Sequence, residues 1–153
     1  MEPLHLGGEH ELTFDNKSRL MIPAPLRKRI NPTVHGTSFQ LGIPREGTLS
    51  LYPVLYFQWL REQRPIDGLA DDDVRDYDRL AYGAGGGVVE MDTAGRVLIP
   101  EKTRSRVGLG REVTVVGVRD HIEIWNRSDW EAYVRELLAR RASIEEAIRQ
   151  KRA

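Results

Sequence analysis

Two short units of aspartate and arginine hold the side chains best suited to bind an anion. Asp15 is followed four residues later by Arg19, and Asp92 is followed in the same way by Arg96. A short carboxylate accepts backbone N–H groups and fixes a turn. The planar fork of arginine binds a phosphate, a guanine edge or a carboxylate through two parallel hydrogen bonds. Each unit is therefore either an anion-binding turn or a hairpin closed by its own ion pair, worth about 0–1 kcal/mol at a surface.

The sequence segments that position these units also occur twice in the chain. Asp15–Pro23 recurs as Asp92–Pro100, at an offset of 77 residues. Further blocks recur in the same order, Leu41–Ile43 as Val116–Val118 and Leu49–Tyr52 as Ile122–Trp125. Several matched blocks in one order indicate a tandem duplication. The two copies span about 8–64 and 85–139.

Each copy predicts the same series of short elements. A strand leads into the turn, a second strand leaves it, and Pro23 or Pro100 opens a short helix. Two more strands and a longer helix follow. The expected strands are 11–14, 19–22, 38–43 and 48–52 in the first copy and 88–91, 96–99, 112–118 and 121–125 in the second; the longer helices are 54–64 and 129–141.

One copy alone would close only a small core and leave bare strand edges. The duplication therefore predicts one α+β, β-rich body with pseudo-twofold symmetry, built by both copies with peripheral helices. The expected organisation is a first module at 6–64, an acidic helix and flexible Gly-rich connection at 65–84, a second module at 85–139 and a helical tail at 140–153. A capping box at Ser128 predicts the start of the helix after the last strand. The tail is expected to pack on the body or on a neighbouring subunit.

Composition excludes several classes of protein. The chain has 153 residues, no cysteine and no net charge, so disulfide scaffolds and cysteine chemistry are excluded. It has no apolar run near the ~20 residues that span a membrane, and no secretory signal, so a cytoplasmic protein is expected. Its four histidines form no metal-binding pair, and no catalytic motif is present. We expect no enzyme activity, catalytic residue, metal, cofactor or small-molecule substrate.

Positive charge is confined to two segments. Residues 15–30 and 92–111 are basic, and residues 62–79 between them are acidic. A surface of one charge attracts polyanions even when the whole chain is neutral. The charge alone leaves open whether these segments bind a polyanion or are solvated faces.

The repeated unit, an apolar triplet and proline after Asp-x-x-x-Arg, resembles the MraZ family. The second copy is the closer match, at Asp92–Pro100 and Val116–Trp125, and the resemblance covers about residues 6–135. It implies a bacterial transcriptional regulator with two swapped-hairpin modules of the AbrB type in each chain. It also implies a ring of identical subunits, associated with the nucleoid. The ring would bind short repeats in double-stranded promoter DNA of the division and cell-wall gene cluster.

The resemblance favours DNA contact by the turns. Arg19, with Lys17 at the tip of its turn, is the leading candidate, and Arg96 is the second. Asp15 and Asp92 are expected to fix the turns. The remaining candidates are Arg27 and Arg104 on the short helices, which either flank a phosphate backbone or are solvated.

One departure from the family's pattern leaves the conformation of the first turn undecided. The family usually has glycine before the motif arginine, as at Gly95, but this chain has Ser18 in the first copy. Two other functions also remain open at this point. One is an antitoxin-like autorepressor of the same superfamily, and the other is a ring scaffold that does not bind DNA.

Overall fold

A computed structural model describes residues 1–63 and 71–153. The first copy forms β1 (Glu9–Thr13), β2 (Arg19–Met21), α1 (Ala24–Arg27), α2 (Pro32–His35), β3 (Ser38–Arg45), β4 (Thr48–Pro53) and α3 (Val54–Gln63). The connection contains α4 (Asp72–Asp78), which continues as a π-helical segment (Arg79–Ala84). The second copy forms β5 (Val88–Glu90), β6 (Arg96–Leu98), α5 (Glu101–Val107), β7 (Glu112–Val118), β8 (His121–Asn126) and α6 (Arg127–Ala139), and the tail is α7 (Arg141–Arg152).

The two copies exchange strands to build one antiparallel sheet. Its order is β1-β7-β8-β4-β3-β5, while β2 and β6 form a separate two-stranded ribbon. The first strand of each copy pairs with the third strand of the other, with His10 opposite Val115 and Phe39 opposite Val89. If each strand is replaced by its equivalent in the other copy and the order is read from the opposite edge, the strand order is unchanged. The predicted pseudo-twofold α+β body of swapped hairpins is therefore confirmed.

The pseudo-twofold axis passes through both sheets. In the ribbon, Leu20 of β2 lies opposite Val97 of β6, its equivalent in the other copy. In the large sheet, β4 pairs with β8, and Leu49 lies opposite Ile124. The ribbon thus fixes the two Asp-x-x-x-Arg turns in a symmetric arrangement, one at each end.

One hydrophobic core serves both copies. Leu20, Ile22, Val97 and Ile99 are buried. They belong to one continuous cluster with Phe14, which follows β1, and with buried side chains of the large sheet, among them Leu41, Leu49, Val115 and Ile124. Because these residues come from both copies, the core requires both.

The short helices begin one residue later than predicted. Pro23 and Pro100 have extended backbones, with ψ of 137° and 135°, and stand just before α1 and α5. The fixed φ of proline suits this position as well as the first helical one. The side chain of Asn31 accepts the N–H of Thr33 and caps α2, a helix that the sequence did not predict.

The expected capping box at Ser128 is wrong. Helix α6 begins at Arg127, and its start has no side-chain cap. The preceding residue, Asn126, uses its side-chain oxygen to accept the N–H of Gly110 instead. The tail forms a separate helix, α7, after a break at Arg140. All residues of α7 are exposed or half-buried, so the tail is not packed into the described body.

The connection between the copies is held in place at its second end. Asp71 caps α4 by accepting the N–H groups of Asp73 and Val74. The glycines that follow were expected to be flexible. However, Gly87 accepts the N–H of Leu41, and a Cβ on Gly85 would lie 3.0 Å from the carbonyl oxygen of Leu41. The predicted 65–84 unit lies partly outside the described residues. None of the described helices is long and apolar enough to cross a membrane.

Candidate nucleic-acid interface

The first Asp-x-x-x-Arg unit forms a tight turn that ends in a left-handed residue. The carbonyl of Asp15 accepts the N–H of Ser18 at 3.1 Å, and the N–H of Asp15 donates to the carbonyl of Arg19 at 3.0 Å. Ser18 has a φ of +60°. A turn followed by a left-handed residue is a common hairpin connection, and it normally has glycine at that position. Ser18 therefore adopts the conformation that its side chain disfavours.

The carboxylate of Asp15 holds the turn together. One oxygen accepts the N–H groups of Lys17 and Arg19, both at 2.9 Å. The other oxygen accepts Nε of Arg19 at 2.7 Å. The aspartate thus fixes both the backbone of the turn and the direction of the arginine side chain.

The second turn repeats this geometry. Asp92 accepts the N–H groups of Ala94 and Arg96, both at 2.9 Å, and Nε of Arg96, also at 2.9 Å. Gly95 takes the position of Ser18, with a φ of +87°. The two turns therefore have the same conformation although only the second has glycine.

The internal ion pair leaves the outer part of each arginine available. The pair uses only Nε, and in the part of the chain that the structure describes no terminal nitrogen of Arg19 or Arg96 has a hydrogen-bond partner. The two side chains are 30% and 34% exposed. The ion pair and the binding of an anion by the terminal nitrogens are thus compatible, because the aspartate orients the arginine through Nε and occupies neither terminal nitrogen.

Both arginines project from the outer face of the ribbon. Successive strand residues point to opposite faces, so Leu20 and Val97 turn inward while their neighbours turn outward. Arg19 lies opposite Leu98, and Met21 lies opposite Arg96. Met21 and Leu98 are 37% and 53% exposed. The sequence analysis missed these two apolar neighbours, although their position two residues after each arginine places them on its face.

Arg27 and Arg104 each reach across to the turn of the other copy. Arg27 donates from Nε to the carbonyl of Ile22, and its guanidinium covers Gly95, where an added Cβ would lie 2.6 Å from a terminal nitrogen. Arg104 donates from a terminal nitrogen to the hydroxyl of Ser18 at 3.0 Å. Both side chains are half-buried. Their DNA contact stays a prediction, whereas Lys17 is exposed at the tip of its turn.

The turns lower the pKa of their aspartates. The backbone hydrogen bond from Arg19 is the largest cause, with burial opposing it and the Arg19 side chain assisting, and the pKa of Asp15 falls from 3.8 to about 2. The pKa of Asp92 is lowered in the same way, first by the backbone hydrogen bond from Arg96. Because the folded pKa values lie below the unfolded ones, this contribution to stability is present above about pH 4 and is lost as the pH falls towards 2.

We expect Asp15 to titrate with a midpoint near pH 2 in carboxyl ¹³C NMR, well below an unperturbed aspartate near 3.9. Arg19→Ala removes the side-chain hydrogen bond but keeps the backbone bonds, so the midpoint should rise only part of the way. A midpoint near the unperturbed value in the unmodified protein would contradict the described turn.

Comparison with known proteins identifies the family. Residues 84–152 match the family described as "MraZ protein, putative antitoxin-like". The transcriptional regulator MraZ of Thermomicrobium roseum is 36% identical over 141 residues, which cover 92% of this chain and 95% of that protein. That of Neisseria meningitidis serogroup A is 35% identical over 128 residues, 82% of this chain and 83% of its own length. That of Moorella thermoacetica is 34% identical over 129 residues, 84% and 86% of the two lengths. These matches extend across both copies and confirm the resemblance seen in the repeated motif: the chain belongs to the MraZ family.

Proposed function

We propose that this chain is a transcriptional regulator that binds double-stranded DNA through its two Asp-x-x-x-Arg turns. The observation that supports the proposal best is the arrangement of Arg19 and Arg96 on one outer face, each with its Nε held by an aspartate. The relatives support it as well, since they are named transcriptional regulators. The chain acts as a DNA-binding protein and not as an enzyme.

The terminal nitrogens of the arginines make the contact. A guanidinium binds the O6 and N7 atoms of guanine, or a phosphate, through two hydrogen bonds. An arginine whose direction is already fixed loses less conformational freedom on binding. Lys17 contacts a phosphate beside the first turn, and the exposed Met21 and Leu98 lie where they meet the DNA surface next to the arginines.

Lys17→Ala is expected to weaken binding to all DNA sequences alike. A phosphate contact positions the protein but reads no base, and its loss should reduce the slope of log K against log salt by about 1. Fluorescence anisotropy at several salt concentrations measures both effects. Lys151→Ala, the same charge change in α7, is the matched control and should leave the slope as it was. A loss of affinity restricted to one DNA sequence would contradict the phosphate assignment.

The regulator is further proposed to act as a ring of identical subunits. The two halves of the chain differ, so each subunit has two different sides with which to form a head-to-tail contact. Two features offer surfaces for it: β1 and β5 are the edge strands of the large sheet, and Ile148 of α7 is exposed. In a ring, every Arg19 turn has the same rotational sense. The ring should therefore favour direct repeats in the promoter DNA over inverted repeats.

Native mass spectrometry at micromolar concentration is expected to show one closed oligomer. The masses should be multiples of the 17.5 kDa chain, with one multiple dominant. A variant with Ile148→Glu in α7 tests whether the tail takes part, because a charge there opposes an apolar contact. Detection of monomer alone for the unmodified protein would contradict the ring.

A gel-shift assay with the DNA upstream of the chain's own gene tests the function itself. The proposed target is the promoter of the division and cell-wall gene cluster, with short direct repeats. Retention that survives excess random DNA supports the proposal. A ring that forms but binds neither the upstream DNA nor random DNA would instead indicate a scaffold without DNA binding.

A further inference from the structure

Ser18 occupies a position where its side chain is a disadvantage. Its φ of +60° lies in the left-handed region, which glycine adopts far more readily than serine. The equivalent residue of the other turn is Gly95. Some interaction must therefore hold Ser18 in this conformation. The conformation also affects Arg19, because Arg19 follows Ser18 directly and takes its direction from the turn.

The side chain of Ser18 is held by a residue of the second copy. A terminal nitrogen of Arg104 in α5 donates to the hydroxyl of Ser18 at 3.0 Å. The other terminal nitrogen donates to the carbonyl of Gly110 at 3.2 Å. The guanidinium carbon lies 3.8 Å from the centre of the Phe14 ring, which is fully buried. Arg104 is thus fixed by three contacts, of which one is the serine.

The remaining nitrogen of Arg104 also faces inward. Its Nε is buried, with no hydrogen-bond partner among the described residues. A guanidinium that is committed to Ser18, Gly110 and Phe14 would have to break these contacts to bind a phosphate. Its position therefore suits support of the turn better than direct DNA contact.

The second turn shows what happens without the hydroxyl. There the guanidinium of Arg27, the equivalent of Arg104, covers Gly95, which has no side chain to accept a hydrogen bond, and its Nε donates to the carbonyl of Ile22. Where the turn has glycine, the arginine only covers it. Where the turn has serine, the arginine bonds to it and also packs on the ring of Phe14, a residue whose sequence equivalent in the other copy is Met91.

We propose that Arg104 is a positioning residue for DNA reading by Arg19, and that it acts through the hydroxyl of Ser18. The second copy thereby controls the conformation of the first turn, which couples the two copies in recognition. This inference rests on the proposed DNA-binding function, and it assigns Arg104 a role that a phosphate contact would not produce.

A double-mutant cycle tests the inference. Arg104→Met removes the hydrogen bonds but keeps an apolar contact with Phe14. Alone, it should weaken promoter binding about tenfold, because only a fraction of the turns keep the competent conformation. When it is combined with Ser18→Gly, the same change should cost less than about twofold, since glycine holds the left-handed conformation unaided. The single variant Ser18→Gly completes the cycle, and Lys102→Met controls for loss of one charge on α5.

The salt dependence separates positioning from contact. Arg104→Met should leave the slope of log K against log salt as it is in the unmodified protein. A slope reduced by about 1, without rescue by Ser18→Gly, would show that Arg104 binds a phosphate and would overturn the proposal. The proposal would also be overturned if Arg104→Met left the salt slope unchanged but cost the same affinity in the presence of Ser18 as in the background of Ser18→Gly.

A measurement without DNA distinguishes this inference from the proposed function. In thermal unfolding, Arg104→Met should lower Tm more in the presence of Ser18 than in the background of Ser18→Gly. If the unmodified protein binds no DNA but this coupling is found, the proposed function fails while the contact is retained. If DNA binds and the coupling is absent, both in Tm and in affinity, the inference alone fails.

Discussion

Arg19→Ala is expected to weaken binding to the promoter by about 5- to 150-fold, the range that a bidentate contact worth about 1–3 kcal/mol gives. Arg96→Ala should have a smaller effect. Both variants remove an arginine whose Nε is bonded to an aspartate and whose terminal nitrogens are free of partners within the described residues. The fold and the oligomer should be retained, because neither side chain belongs to the core.

The ranking follows from the charge around the two turns. Lys17 stands in the first turn, and the exposed Lys28 and Arg29 follow it on the same copy. In the second turn Arg96 is the only basic residue, since Thr93, Ala94 and Gly95 are uncharged. Phosphate contacts supply most of the affinity for DNA that does not depend on sequence. The first turn should therefore lie closer to the DNA and make more contacts.

Fluorescence anisotropy with labelled promoter DNA measures the two affinities side by side, with circular dichroism to show that both variants fold. Equal binding by Arg19→Ala and the unmodified protein would reject the role of Arg19. A larger loss with Arg96→Ala would reverse the order of the two copies.

Leu20→Ala is expected to reduce the free energy of unfolding by about 2–5 kcal/mol, in one cooperative transition. Leu20 is 1% exposed and lies opposite Val97 at the pseudo-twofold axis, so the cavity opens between the two copies. Since both copies share one core, damage at this point destabilises the whole body, and both turns should be lost together.

Urea denaturation followed by tryptophan fluorescence and circular dichroism tests this cooperativity. The matched control is Met21→Ala in the same strand, on its outer face, where a surface substitution should change stability by at most about 0.5 kcal/mol. Two separate transitions, with one copy remaining folded, would contradict a body built by both copies.

The repeat made the architecture predictable. Several matched blocks in one order indicated two copies, and the bare strand edges of a single copy indicated that the copies must combine. Leu20 and Val97 are the buried middle residues of their three-residue strands, in keeping with the period of two in a strand. The Asp-x-x-x-Arg spacing likewise led to a turn fixed by its aspartate, because the side chain of aspartate reaches the N–H groups two and four residues later.

The contacts between the copies were not predictable in the same way. Arg104 and Ser18 are 86 residues apart in the chain, and only the strand exchange brings them together. The sequence offered a charged helix residue, which on its own suggested phosphate contact or solvation. The capping box predicted at Ser128 also failed, because the helix begins at Arg127 and the residue before it, Asn126, accepts the N–H of Gly110 instead of capping the helix.

The most direct measurement of the central claim is the ratio of Kd on random DNA to Kd on the chain's own upstream region, at one salt concentration. The unmodified protein should bind the upstream region far more tightly, and Arg19→Ala should narrow the ratio by about 5- to 150-fold if Arg19 reads a guanine edge. Lys17→Ala should weaken both affinities and leave the ratio as it was. A ratio near one for the unmodified protein, or a ratio that Arg19→Ala does not change, would contradict the reading of DNA by these turns.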